Sequence, residues 1–149
     1  MTQSFESLFR IEETVSEGNF CRVLRATRRS DGKPAALKVA TSEIGKQMLR
    51  AEVQIAQRMG GYTRVLALLP ERAEDGAWLA MPWLADGSLR KHLAIYRPGH
   101  PWLFRVFFSL ADTVAVLHKM GVIHGDLKPE NVLLDPHGQP FLTDFGLAR

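Results

Sequence analysis

The chain has 149 residues, 46% of them hydrophobic and 23% charged, with a formal net charge of +3. That length admits one compact domain or a small unit joined to part of a second, and the composition excludes wholesale disorder. The charge is too small to argue for nucleic acid, and the lone cysteine, Cys21, excludes an intrachain disulfide and suits a reducing compartment.

The chain opens with two β-type runs, Phe9 to Val15 and Cys21 to Thr27, on either side of the turn Ser16-Glu17-Gly18-Asn19. A second turn, Ser30-Asp31-Gly32-Lys33, leads through Pro34 into the run Ala35 to Ala40, which completes a meander. Ser42 then offers a helix N-cap, with Glu43 in the first turn. Ile44, Met48, Val53, Ile55 and Met59 recur at helical spacing before Gly60-Gly61 ends the helix. Two more short strands, Val65 to Leu69 and Trp78 to Met81, flank the turn at Asp75-Gly76. Ala85-Asp86-Gly87 reads as a linker, with Ser88 capping a short helix from Leu89 to Tyr96.

After the breaker Pro98-Gly99-His100-Pro101, a long helix is predicted from Trp102 to Met120, with Gly121 at its C′ position. Leu103, Val106, Phe107, Leu110, Val114 and Leu117 form one apolar face, and Phe104, Phe108, Ala111 and Ala115 a second, so cover is expected on more than one side. Arg105, Ser109 and Asp112 interrupt this segment, which argues against a membrane span, and the N-terminus lacks a leader pattern. Two short strands, Val132 to Leu134 and Pro140 to Thr143, close the chain around the turn Asp135 to Gly138. Arg22, Arg25, Arg28 and Arg29 read as a solvated strand and turn; His100, His118 and His137 have no metal-ligand grouping.

Three constellations carry chemistry. Gly18 sits in the first turn, where a missing Cβ lets backbone approach a phosphate. Lys38 lies among Ala36, Leu37, Val39 and Ala40, and a charge in such a run needs a partner. The third is the stretch His124-Gly125-Asp126-Leu127-Lys128-Pro129-Glu130-Asn131, followed by Asp144-Phe145-Gly146. Its Asp-to-Asn spacing matches the catalytic loop H-R-D-x-x-x-x-N.

With these motifs in order, the chain resembles the eukaryotic-type (Hanks-type) serine/threonine protein kinases from Phe9 to Arg149. The resemblance implies an α+β fold. Residues 1–81 form a five-stranded antiparallel N-lobe with one helix, 82–87 a hinge, and 88–149 the first part of a mainly helical C-lobe. It implies ATP and Mg²⁺ or Mn²⁺ as cofactors and a protein bearing Ser or Thr as substrate. Asp126 would be the base for the attacking hydroxyl, Lys128 would lie against the transferring phosphate, and Asn131 and Asp144 would ligate the metal. Lys38, paired with Glu52, would contact the α- and β-phosphates. Val15, Ser16, Gly18, Phe20 and Val23 would belong to the phosphate-covering loop, and Val15, Val23, Ala36, Met81, Pro82, Leu84 and Leu133 to the adenine slot.

This sequence departs from the family pattern in places. Ser16 and Cys21 replace the outer glycines of the loop, Pro82 removes a backbone donor, and Gly125 replaces the arginine that docks a phosphorylated activation loop. The family's activation segment and later helices would follow residue 149, so a protein partner, self-association or further sequence is expected to cover the long helix. Neither nucleic acid nor membrane is an expected partner, and the expected location is cytoplasmic. Two other readings stay open: a nucleotide-binding regulatory module without phosphotransfer, and a small-molecule phosphotransferase like the aminoglycoside or choline kinases.

Overall fold

The computed structural model describes residues 4–59, 64–97 and 99–149. The chain divides into two compact units, Met1–Gln54 with Ala67–Trp83, and Ile55–Leu66 with Leu84–Arg149.

The first unit opens with one helical turn, α1 (Phe5–Leu8), and a sheet in the order β1 (Phe9–Glu17), β2 (Cys21–Arg28), β3 (Pro34–Ala40), β4 (Trp78–Pro82). Every pairing in it is antiparallel. The pleat sorts its side chains. Leu24 and Ala26 of β2, Ala35, Leu37 and Val39 of β3 and Trp78 and Ala80 of β4 meet Phe9 and Ala73 in one buried cluster. Phe5 and Phe9 both set their rings edge-on to Trp78. β1 is buried only at Phe9, and its ladder slips twice, between Ile11 and Glu13 and between Thr14 and Ser16. Such irregularities bend a strand at a sheet edge.

The helix α2 (Glu43–Arg58) starts as its sequence predicts, because Ser42 Oγ accepts the Gly45 N–H at 3.1 Å. The expected terminator, Gly60-Gly61, lies outside the described residues. The strand expected at Val65 to Leu69 does not form, so the sheet has four strands among the described residues rather than five. Its backbone is divided instead. Val65 and Leu66 bond to Leu142 in the second unit, while Leu69 donates to Ala80 and Arg72 bridges Leu79 in the first. Pro70, which has no N–H, interrupts the pairing between Leu69 and Arg72.

The second unit contains α3 (Leu89–Leu93), α4 (Pro101–Lys119), a single 3₁₀ turn at Pro129–Asn131 and a hairpin of β5 (Val132–Leu134) and β6 (Pro140–Leu142). α3 ends three residues before the expected Tyr96, and Ser88 makes no side-chain cap. α4 terminates in a Schellman motif: Gly121 (φ 73°) donates to His118 and Val122 to Leu117. The core gathers Ile55, Met59, Leu89, Val106, Leu117, Val122, Val132, Leu142 and Phe145. The second apolar face of α4 is bare, and Phe107, placed on the first face with Val106 and Leu117, is also exposed (68%), as are Phe104 and Phe108. Among the described residues, no helix is long and apolar enough to cross a membrane.

Leu37 is fully buried in the central strand. Leu37→Ala is expected to lower stability by about 2–5 kcal/mol, measured as a lower urea midpoint by circular dichroism.

Candidate active site

Within the first unit, strand register brings four candidate residues, with Arg25 beside them, onto the sheet face opposite the buried cluster. Val23 pairs with Lys38 and Lys38 with Leu79, while Arg25 pairs with Ala36 and Ala36 with Met81. Residues directly opposite in an antiparallel pair share a face, so Val23, Arg25, Ala36, Lys38 and Met81 project together. Lys38 is only 7% exposed and Glu52 only 2%. Lys38 Nζ donates to Glu52 Oε2 at 2.8 Å, tying the central strand to α2. Glu43, the other acid of α2, instead faces Lys46 and Arg50 near the surface.

The hairpin joining β1 and β2 places Ser16 opposite Val23, and Val15 and Phe20 are exposed. Gly18 behaves differently from the sequence expectation. Its N–H closes the turn by donating to the Cys21 carbonyl at 2.9 Å, so that donor is spent inside the loop. Its φ is not positive, and a Cβ at Gly18 would lie 3.2 Å from the same carbonyl oxygen. The remaining glycines of a phosphate loop are absent here, since Ser16 and Cys21 occupy their places. Pro82 ends β4 opposite Ala35, one residue beyond Met81.

Within the second unit, a network of short hydrogen bonds holds the loop from His124 to Asn131. The buried His124 ring accepts the Asp126 N–H at Nδ1 (3.2 Å), and its Nε2 donates to the Thr143 carbonyl (2.9 Å). Phe145 packs against the same ring at 4.7 Å. Asn131, also buried, donates its amide to the Asp126 carbonyl at 2.9 Å and to Asp126 Oδ2 at 3.0 Å. Its own carbonyl accepts the Thr143 N–H at 3.0 Å. Two separate bonds therefore stitch the loop to the residue before Asp144.

Lys128 Nζ lies 2.8 Å from Asp126 Oδ2. The Lys128 hydrogen bond, reinforced by Asn131 against the opposing cost of desolvation, holds the Asp126 carboxyl below its usual range; Asp126 in turn raises Lys128. Asp126 is thus a carboxylate at neutral pH with its orientation set by two donors. Asp144 adopts a left-handed backbone (φ 65°), a conformation costly for a residue with a Cβ, and its charge also acts on Lys128.

Asn131 and Asp144 fit a hard divalent cation by donor chemistry. With both amide hydrogens of Asn131 directed at Asp126, its Oδ1 remains the acceptor, and Asp144 adds a carboxylate. Mg²⁺ favours such oxygen sites with few protein ligands and completes its shell with water and phosphate. Among the described residues, no group of three or more His, Cys, Asp or Glu side chains could hold a metal alone. Leu84 and Leu133 also belong to this unit. The Leu84 carbonyl accepts the Gly87 N–H, and Leu133 bridges Ser88.

Gly125 has a local reason to be glycine. Its φ is 81°, and a Cβ there would come within 2.6 Å of the Leu147 carbonyl oxygen. Leu147 belongs to a segment pinned to the loop by a reciprocal pair of bonds between Ile123 and Arg149, at 2.8 and 3.0 Å. Two partners escaped the sequence reading. Thr143 makes both stitches to the loop, accepting from His124 and donating to Asn131, and Trp83 lies under the Arg25 guanidinium at 5.3 Å. Arg25 is also ion-paired with Glu12 and Glu13, rather than simply solvated. The alternation that turns Arg25 to the same face as Val23 was available in the sequence; its cross-strand neighbours and aromatic partner were not.

The protein kinase domain family matches residues 9–149. The chain is 29% identical over 144 residues to the serine/threonine-protein kinase PknK of Mycobacterium tuberculosis, covering 92% of this chain and 13% of that protein. It is 32% identical over 133 residues to CBL-interacting protein kinase 22 of Oryza sativa subsp. japonica, covering 85% of this chain and 30% of that one. A third relative is the serine/threonine-protein kinase PKH1 of Saccharomyces cerevisiae, 30% identical over 148 residues, with 95% and 19% covered. The chain therefore spans less than a third of the length of these relatives.

Two outcomes follow from the geometry. Glu52→Ala leaves the buried Lys38 without this carboxylate and is expected to cost about 3–5 kcal/mol in a denaturant titration. Asp126, whose folded pKa is depressed, contributes stability above its unfolded pKa and loses it as pH falls through the folded value. Lys128→Met removes the main cause, so carboxyl-detected NMR should show Asp126 titrating at higher pH than in the wild type.

Proposed function

This chain belongs to the protein kinase family, and we propose that it carries the ATP-handling part of a serine/threonine protein kinase. The observation that carries the proposal is the Asp126 carboxylate, kept ionised and aimed by Lys128 at 2.8 Å and Asn131 at 3.0 Å.

Asp126 takes the proton of a serine or threonine hydroxyl as its oxygen attacks the γ-phosphorus. The bond from that phosphorus to the β–γ bridging oxygen breaks, and ADP leaves. Such transfer depends mostly on positioning and on stabilising charge, so a base oriented in advance matters more than a strong one. Lys128 lies against the transferring group as its pairing with Asp126 loosens. Asn131 and Asp144 would hold the Mg²⁺ or Mn²⁺ ion, which when bound neutralises phosphate charge.

In the first unit, Lys38 held by Glu52 takes the α- and β-phosphates, while Val15, Val23, Ala36 and Met81 supply apolar surface to the base. Pro82 offers the base its carbonyl; Leu84 follows with a backbone N–H, and Leu133 supplies further apolar cover. Ser16, Gly18 and Phe20 shape the loop over the phosphates. Residues 1–81 then correspond to the N-lobe, 82–87 to the hinge and 88–149 to the opening of the C-lobe. The lone cysteine suits a reducing cytoplasm.

One observation favours a second reading, a nucleotide-binding module without turnover: the Gly18 N–H is committed to Cys21, and the outer loop glycines are absent. His124-Gly125-Asp126 is the stretch that resembles the aminoglycoside and choline kinases, and the close approach of Leu147 accounts for its glycine by backbone geometry alone.

Labelled-phosphate transfer from ATP to a Ser/Thr protein substrate separates the two. Asp126→Asn is expected to reduce transfer by about 10²–10⁴-fold. Transfer unchanged in Asp126→Asn would overturn the proposed base. Mg·ATP binding without turnover in the wild type would select the second reading.

A further inference from the structure

The phosphate loop and α2 touch at one glycine, and the contact leaves no room for a side chain. A Cβ at Gly45 would overlap the Phe20 carbonyl oxygen, with the Phe20 carbonyl carbon at 3.0 Å and the Ala40 Cβ at 3.3 Å. The same Phe20 carbonyl accepts the Thr41 N–H at 2.8 Å, and Thr41 Oγ1 reaches the Asn19 carbonyl at 3.4 Å. The loop tip therefore rests on the β3–α2 junction through both Thr41 and the bare Cα of Gly45.

The helix side of this contact is fixed from elsewhere. Ser42 Oγ holds the Gly45 N–H. The Asp75-Gly76 turn packs on the same end of α2: Arg50 donates to the Asp75 carbonyl at 2.6 Å, and a Cβ at Gly76 would lie 2.6 Å from the Lys46 carbonyl oxygen. Further along, Glu52 is anchored to Lys38. The loop side is different, since residues 10–20 are exposed throughout. A side chain at position 45 must therefore displace the loop rather than the helix.

The geometry points to Gly45 as a positioning residue, whose missing side chain sets the phosphate loop in register with the helix that carries Glu52. This rests on the nucleotide reading given above. The loop then cannot settle over a nucleotide without α2, nor α2 move without the loop, because both use one backbone contact.

The sign of a stability change tests the contact without any ligand. Glycine to alanine inside a helix ordinarily stabilises. Gly45→Ala is expected to lower the thermal midpoint, and a raised midpoint would overturn the inference. For the nucleotide, a fluorescent ATP analogue with Mg²⁺ is titrated into the full chain. Gly45→Ala is expected to weaken binding about tenfold or more while its circular dichroism stays that of the wild type. Equal binding by wild type and variant overturns the role of Gly45 and leaves the nucleotide reading intact; no binding by the wild type overturns both. Hydrogen exchange on the wild type decides the matter even if the variant does not fold. Addition of a non-hydrolysable Mg·ATP analogue should slow the Thr41 amide and the 46–54 amides together. Protection of only one of the two sets overturns the coupling.

Discussion

The buried ion pair between Lys38 and Glu52 is the constraint on which the first unit depends. A lysine in the middle of a central strand, with apolar residues on both sides, is tolerable only if a carboxylate meets it. Glu52 does so at 2.8 Å, and nearly all water is excluded from both side chains. Removing water makes the pair costly to form and more costly to break, so its value lies in geometry. It specifies which face of α2 turns to the sheet, and with it the register of Leu49 in the core and Gly45 against the loop.

The second unit solves a different problem, that of keeping an acidic, partly exposed loop in one conformation. Most of its side chains there are exposed or half-buried. His124, Asn131 and Thr143 instead form a polar frame in which each buried donor has a named acceptor. Such networks are rigid when satisfied and costly when a member is lost. The strain at Asp144 (φ 65°) persists because residues on either side are tied down, Thr143 by Asn131 and Phe145 by the His124 ring.

Much of the fold was legible in the sequence, because the signals were local. Ser42 caps α2 as read, and Gly121 closes α4 with a left-handed residue, since both depend on groups within five residues. The hairpins and their turns followed from glycine and period-2 alternation. The failures share a cause as well. Val65 to Leu69 has strand composition, but Val65 and Leu66 pair with Leu142 while Leu69 pairs with Ala80, so no single neighbour runs along it. Phe107 keeps helical spacing with core residues yet lies exposed, because periodicity predicts a face and not whether anything packs on it.

For the candidate site the division is sharper. Residue types and their spacing alone determined the chemistry that the loop from His124 to Asp144 can support, because proton acceptance and cation ligation belong to individual side chains. Folding decided which atoms remain available for it. The Gly18 amide is consumed by its own turn, Asn131 turns its amide toward Asp126 and leaves Oδ1, and Gly125 and Gly45 are glycine because distant carbonyls occupy the space of a Cβ. Hydrogen bonds and steric exclusion act between residues brought together by packing, and no linear pattern encodes those distances.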